Sequence, residues 1–438
     1  MEIEQANTIK QSSYKQRPKS GRNFLLHIHP YRMPETNLRF THTWGLGGMA
    51  VTLIFLQVFT GILLRFHYDA NPQFAYDSIL RIQSGLLFGQ FVRNIHHWSG
   101  MFLIVVAFLH MIRVFFTAAF LPPRHWNWVI GIALLLGVVF INFTGYLLPW
   151  DQLAYWAITV STSMLDYVPL IGQGMKELIR GGTEVGASTL LNFYTFHTGI
   201  FPVALFILML IHFWKVRKAG GVILPRKVRD EEVNRIETNP HLIKREAVAA
   251  LGLLAFIFLF STFFDAPLQE KANPAFSPNP AKAPWYFQGI QELILHFHPF
   301  FAVLVFPSIL LAGVLAIPFL KYGAGNDKID FTTASHNKII LCSALTAIVL
   351  TPILIFLDEY VLYLEELVTG IPPFISIGLV PFLGLAGMTW LFVVVIKKKF
   401  GNKKIDLVLA IFVLFAVAYL ILMFFGTFLR GQGMRLVF

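Results

Sequence analysis

Along most of this chain, uncharged apolar stretches of about twenty residues alternate with short polar ones. Nine such stretches stand out, at about 43–66, 95–118, 127–148, 195–216, 246–264, 299–320, 339–357, 374–396 and 405–428. Each holds roughly 19–24 residues, enough to cross ~30 Å of hydrocarbon at about 1.5 Å per helical residue. The pattern predicts an all-α transmembrane fold with about nine spanning helices. Residues 1–40 are polar and basic and lack an apolar core ahead of a small-residue cleavage site, so no cleaved signal peptide is expected.

The connections between stretches are unequal. Residues 149–194 and 265–298 are too long for simple turns and rich in Pro, Gly and aromatics, and long ordered loops of this kind usually carry function. Residues 215–246 carry a run of Lys, Arg and Glu and read as a solvated hinge. The expected organisation is therefore a polar N-terminal segment (1–40), a four-helix unit (41–218), a linker (219–245), a C-terminal set of helices with a long loop (246–396), and an extra helix (397–438). For that last helix the simplest reading is a lipid-facing or partner-binding role.

Charge refines the picture. Only 13% of the residues are charged, against about 25% in soluble proteins. The formal net charge is nevertheless +11, which raises nucleic acid as a partner. With the N-terminus placed in the cytoplasm, the cytoplasmic segments would hold 25 Lys and Arg and the opposite ones 8. That positive-inside asymmetry accounts for the basic balance, so no nucleic acid is expected. Cys342 is the only cysteine, which excludes intrachain disulfides, a Cys-x-x-Cys-His haem and a cysteine-ligated iron–sulfur cluster. Any metal held here must use histidine or oxygen ligands.

Ionisable residues inside spanning helices are costly and usually functional. The second stretch holds His96 and His110, fourteen apart; the fourth holds His197 and His212, fifteen apart. At 100° per residue these intervals leave net rotations of about −40° and +60°, with ~21–22 Å along the axis. Each pair shares a helix face, and the second and fourth helices run in the same direction. His96 can thus face His197 at one depth, and His110 can face His212 at another. Neutral imidazole suits haem iron, so two non-covalent, bis-histidine b-type haems are expected. His97 lies ~100° from His96 and has no counterpart at fitting spacing. Gly47 and Gly61 in the first helix, and Gly131 and Gly145 in the third, repeat the fourteen-residue interval. Glycine lets a helix approach a wide ring closely. Arg93 precedes His96, while Arg113 and Arg124 follow His110; they suit haem propionates, or else snorkel at helix ends.

These features resemble cytochrome b of the Rieske/cytochrome b complexes. The resemblance covers about residues 35–400 and rests on the glycines, the histidine pairs, Gly145-Tyr-Leu-Leu-Pro-Trp-Asp-Gln152 and Pro284-Trp-Tyr286. The fifteen-residue interval resembles the b6-type short form, yet front and back halves are fused as in the longer form. The resemblance implies the catalytic subunit of a quinol–cytochrome c (or equivalent acceptor) oxidoreductase in a respiratory or photosynthetic chain. Quinol would dock near the outer face between Tyr146, Pro149 and Trp150 on one side and Pro284, Trp285 and Tyr286 on the other. One electron would pass to a Rieske iron–sulfur protein and on to a c-type cytochrome. The other would cross through the two haems to an inner quinone site, with proton translocation. Arg217 and Lys218 match basic residues near that inner site, although the positive-inside rule explains them equally well. A homodimeric complex in the bacterial inner (cytoplasmic) membrane is expected.

Two departures qualify the resemblance. The family's outer motif is usually Pro-Glu-Trp-Tyr, whereas Ala283-Pro284-Trp285-Tyr286 lacks the carboxylate. A base must still reach the quinol hydroxyl; Glu292 is the leading substitute, with His296, His298 and Asp151 as alternatives. In addition, Gly45 occupies the position of the cysteine that binds a covalent third haem in b6-type forms, so no covalent haem is expected on this chain. Two other classes fit parts of the pattern: a dihaem membrane anchor of a dehydrogenase, and a haem-free transporter with functional histidines.

Overall fold

The computed structural model describes residues 32–38, 40–222, 234–322, 329–362 and 370–437. Among these, nine helices are long and apolar enough to cross a bilayer: α1 (Leu46–Arg65), α2 (Gly89–Phe116), α3 (His125–Leu147), α4 (Ala187–Lys218), α5 (Thr238–Phe263), α6 (Phe300–Phe319), α7 (Ala334–Leu362), α8 (Phe374–Phe400) and α9 (Lys404–Leu429). The number agrees with the hydropathy pattern, but several ends do not. Helices α2, α4 and α5 begin six to eight residues earlier than expected, because polar residues such as Arg93, Asn94 and Thr189 are buried against the loops and can extend the helices. Helix α5 thus starts inside the stretch read as linker, whose residues 223–233 lie outside the described residues.

One end of the bundle is loop-rich. Residues 149–186 fold into short helices, Gln152–Ser163 and Gly172–Arg180. Asp151 caps the first, accepting from the Ala154 amide at 2.8 Å. Its other oxygen accepts from the Gln269 amide at 2.9 Å, which ties the two long loops together. The second loop is rooted on α2: Arg93 donates to the carbonyls of Ala266 and Pro267, both at 2.7 Å, and Asn94 exchanges hydrogen bonds with Ser261, Asp265 and Ala266. At the opposite end, β1 (Arg32–Pro34) pairs antiparallel with β2 (Arg235–Glu237). There Arg124 donates to the carbonyls of Ala219 and Gly221.

Three helices share a local device. In α4, α6 and α8 a widened turn precedes a proline: Phe201, Phe306 and Val380 each donate to the carbonyl five residues back, and each is followed by Pro202, Pro307 or Pro381. Proline lacks an N–H and crowds the carbonyl four residues earlier, so the helix opens into a π turn, a feature frequent at functional sites.

The ninth helix also has an inward face: α9 packs along α7 and buries Leu409, Ala410 and Val413 in a cluster with Phe115, Trp128 and Ile339, while Phe415, Leu420 and Phe424 stay exposed. Phe412 stacks on Phe115 of α2, with ring centroids 3.8 Å apart.

Candidate functional site

The four helical histidines form two opposed pairs. His96 and His197 have ring centroids 6.1 Å apart at 78° between planes; His110 and His212 are 6.5 Å apart at 72°. All four rings are enclosed by helices. The π turn Phe196–Ile200 contains His197. It takes up one residue, so the fifteen-residue interval to His212 spans what fourteen residues of regular helix would span. The +60° rotation expected from uniform helix geometry is thereby removed, and both pairs meet.

Hydrogen bonds set the tautomer of the first pair. Thr60 donates its hydroxyl proton to the Leu56 carbonyl at 2.7 Å, so the same oxygen accepts from His96 Nδ1–H at 2.9 Å. His197 Nδ1 lies 2.8 Å from the Ile141 carbonyl, which can only accept. Both rings therefore carry their proton on Nδ1 and leave the Nε2 lone pair free for a metal. The second pair lacks this support: His110 Nδ1 and His212 Nδ1 are buried without a hydrogen-bond partner among the described residues.

Each of the four glycines backs onto one histidine. A Cβ at Gly47 or Gly131 would meet His110 or His212 Cε1 at 3.6 and 3.7 Å; at Gly61 it would lie 3.2 Å from His96, and at Gly145 only 2.5 Å from His197 Cε1. The close approach expected for a ring is thus made to the imidazoles themselves.

A second constellation lies at the loop-rich end. Trp285 donates from Nε1 to Met101 of α2 at 3.2 Å, and buried Tyr286 joins the core formed by Leu53, Ile95, Leu103 and Val138. Burial, with Tyr146 beside it, pushes the Tyr286 phenol above its ordinary value, and its hydroxyl has no partner among the described residues. Pro284 is buried, and Pro149 leads into Trp150, which adopts a left-handed backbone (φ 51°) and packs on Tyr155. The two loop motifs thus converge over α2 and α3.

Glu292 is fully buried. Arg430, just past α9, clamps it with Nε at 3.0–3.1 Å and Nη2 at 2.5 Å, and His296 Nε2 lies 3.3 Å away. Burial alone would raise the Glu292 carboxyl, but the hydrogen bonds from His296 and Arg430 outweigh it and hold it below the usual range. Asp151 is raised by burial, partly offset by the Gln269 and Ala154 amides. His298 packs edge-on against Tyr167 and Phe374, and burial lowers it. The remaining basic candidates sit at helix ends. Arg93 holds the loop carbonyls described above, Lys218 Nζ lies 5.2 Å over the Trp214 ring, and Arg113 and Arg217 each have partners in the fold.

Residues 33–220 match the family described as Cytochrome b/b6/petB. The chain is 40% identical to cytochrome b6 of Auxenochlorella protothecoides over 174 residues, 40% of this chain and 81% of that protein. It is 38% identical to cytochrome b6 of Porphyra purpurea, over 43% of this chain and 86% of that one. The chain belongs to the cytochrome b/b6 family. The fold extends further: a chain of the solved structure described as "Hyperthermophilic respiratory Complex III" covers 91% of this chain and 94% of itself, with TM-score 0.65 and 23% identity. The matched b6 region ends near α4, so the back half rests on the fold alone.

Membership makes this a multi-pass integral membrane protein and implies binding of b-type haem, and the residues present fit that group. Two nitrogens about 2 Å from a first-row metal suit ring centroids 6.1 and 6.5 Å apart, and the Nδ1 hydrogen bonds of the first pair leave each Nε2 lone pair available to a metal. Sequence reasoning missed Thr60, Ile141 and Arg430. A threonine one residue before Gly61 gave a weak signal; a backbone carbonyl and an arginine beyond the last helix gave none.

Proposed function

We propose that this cytochrome b is the quinol-oxidising subunit of a Rieske/cytochrome b complex, with two b haems held by His96–His197 and His110–His212. The observation that carries the reading is the pair of opposed histidine sets on α2 and α4 beneath the converged loops of residues 146–152 and 284–286. When bound, the haems would supply one-electron transfer across the low-dielectric interior between a quinol side and a quinone side. The chain's own residues do the rest. Thr60 and the Ile141 carbonyl orient the imidazoles at the loop-rich end. Gly47, Gly61, Gly131 and Gly145 let α1 and α3 close on the ligands. Arg93, Arg113 and Arg124 supply cationic groups at the depths where propionates would end.

Tyr286, whose hydroxyl has no partner among the described residues, can hydrogen-bond a quinol. Trp285, Pro284, Tyr146, Pro149 and Trp150 wall the site and exclude water. The loop-rich end is then the outer face, and the N-terminus lies in the cytoplasm of a bacterium. Arg217 and Lys218 mark the inner quinone side. Electrons leaving outward need an iron–sulfur protein and a c-type cytochrome as partners, within a homodimeric complex. Organisation follows function: residues 41–218 form the haem unit, 246–396 bring the quinol loop, and 397–438 add α9. Gly45 stands left-handed (φ 61°) at the start of α1, a backbone favouring glycine over a haem-bearing cysteine.

The test is spectroscopy and turnover of the purified complex. Two reducible bis-histidine b-type chromophores and quinol oxidation blocked by outer-site analogues are expected. His197→Leu should remove one chromophore and His212→Leu the other. A preparation without haem iron, or one that keeps both chromophores after His197→Leu, refutes the reading.

A further inference from the structure

The residues before Pro284–Tyr286 and the helix Gln288–His296 after it are tied into one piece. Gln291 accepts from the Ala283 amide at 2.8 Å and donates to the Ala281 carbonyl at 2.7 Å, and Gln288 donates to the Ala283 carbonyl. That piece lies on α9. Phe412, Tyr419 and Gly426 stand seven apart along α9, and seven helical residues leave only about 20° of rotation, so the three share a face. Phe412 meets Phe115 of α2; the other two meet the loop. Tyr419 donates its hydroxyl proton to the Tyr286 carbonyl at 2.9 Å. Its ring lies against Gly289, where a Cβ would come within 2.7 Å of Tyr419 Cε2. At Gly426 a Cβ would come within 2.9 Å of both the carbonyl oxygen and Oε1 of Gln288. Each helix thus offers a glycine to the other, and the missing side chains let the two approach closely.

The end of α9 and the chain beyond it continue the contact on both sides. Lys282 Nζ donates to the Thr427 carbonyl at 3.0 Å, and the Gly433 amide donates to Asn279 Oδ1 at 2.6 Å. At the far end of the piece Glu292 takes Arg430, and His296 Nδ1 lies 2.7 Å from Asp358 of α7. Contacts between α9 with its tail and the loop thus run from Asn279 to Glu292, with Tyr286 near their middle.

We propose that Tyr419 is a positioning residue of the outer quinol site, and that α9 with residues 430–437 is the bed that holds the Pro284–Tyr286 loop, an assignment that rests on the quinol-oxidising reading above. Tyr286 is gripped from two sides. Its ring is buried with Leu53, Ile95 and Val138 of α1–α3, while its carbonyl is held from α9 by Tyr419. Side-chain direction follows the backbone that carries it. The place of the Tyr286 hydroxyl, which has no partner among the described residues, is therefore set by where α9 holds the carbonyl. Tyr419 acts through Tyr286 and takes no part in the chemistry.

The experiment compares wild type, Tyr419→Phe, Gly426→Ala and Val413→Ala in the intact complex. It reads kcat and KM for quinol, inhibition by an outer-site quinol analogue, amide hydrogen exchange over residues 281–289, the thermal midpoint and the haem spectrum. With both chromophores unchanged, Tyr419→Phe should raise KM and weaken the analogue by about 10-fold, the order expected for one lost buried hydrogen bond. A displaced wall weakens ground state and transition state alike, so kcat should change little. Exchange over the loop should quicken. Gly426→Ala should move the same readings in the same direction. Val413→Ala, which loosens α9 where it packs with Phe115, should lower the thermal midpoint and leave KM, inhibition and loop exchange at wild-type values. Wild-type KM and inhibition in Tyr419→Phe would overturn the assignment. So would equal shifts in Val413→Ala, the result of a merely destabilised helix. Should Tyr419→Phe not assemble, wild-type readings in Gly426→Ala would do the same. A wild-type complex that carries both haems but oxidises no quinol would instead defeat the functional reading, and the quinol role of Tyr419 with it, whereas loop exchange would still register the fastening.

Discussion

Replacing Gly145 by alanine tests the close approach on which the His96–His197 pair depends. A Cβ at that position would lie 2.5 Å from Cε1, 2.9 Å from Nδ1 and 3.1 Å from Nε2 of His197. Carbon atoms in contact normally sit about 3.5–4.0 Å apart, so the ring or the helix must yield by about 1 Å. The ring is not free to do so, because Nδ1 is held 2.8 Å from the Ile141 carbonyl. Overpacking of this kind costs ~1–3 kcal/mol. At about 1.4 kcal/mol per decade, haem affinity at this pair should fall roughly 5- to 140-fold. Gly131→Ala is the matched control, since its Cβ would meet His212 Cε1 at 3.7 Å, an ordinary contact. Pyridine haemochrome stoichiometry and a redox titration of the purified complex read both variants. The expected result is loss or displacement of one chromophore in Gly145→Ala and retention of both in Gly131→Ala. Two intact chromophores in Gly145→Ala, or equal damage in the two variants, would refute the steric reasoning.

Thr60→Val removes the oxygen that accepts from His96 Nδ1; loss of such an orienting partner typically weakens metal binding ~10–100-fold, which haem retention during dialysis against apomyoglobin would register. Arg430→Met leaves the buried Glu292 carboxylate without its cation and should cost ~3–5 kcal/mol, seen as a lower thermal midpoint. Adding Glu292→Gln should recover part of that loss, and a double variant no better than the single would reject the pairing. The same cluster sets a pH window. Glu292 is depressed in the fold, so its contribution is present above its unfolded value and is lost as pH falls through the folded one. His296 is raised, so its contribution is full below its unfolded value and is lost as pH rises through the folded one. The thermal midpoint at fixed scan rate should therefore be highest between about pH 4.3 and 6.5, and in Glu292→Gln/His296→Gln this maximum should flatten.

Much of this architecture could be read without coordinates, because a bilayer imposes simple rules. A spanning segment must be apolar for about twenty residues, so the nine spanning helices among the described residues were visible as nine stretches. An imidazole inside such a segment is costly, so His96, His110, His197 and His212 announced themselves, and the fourteen-residue spacing of the glycines pointed to helices pressed close to them. What periodicity could not supply was departure from uniform helix. The fifteen-residue interval in α4 reads as a 60° misalignment until the π turn before Pro202 removes it, and that turn arises because a proline denies its helix one hydrogen bond.

The tertiary structure alone decided the partners. Thr60 and the Ile141 carbonyl choose the imidazole tautomer from neighbouring helices, and neither carries a pattern along the chain. Glu292 looked like an available base for the quinol; Arg430, 138 positions away, reaches it only because α9 packs along α7 and against the helix Gln288–His296. Local hydropathy records how much apolar surface a segment must bury. Which buried charge meets which is fixed by contacts between distant segments, and those exist only once the helices have packed.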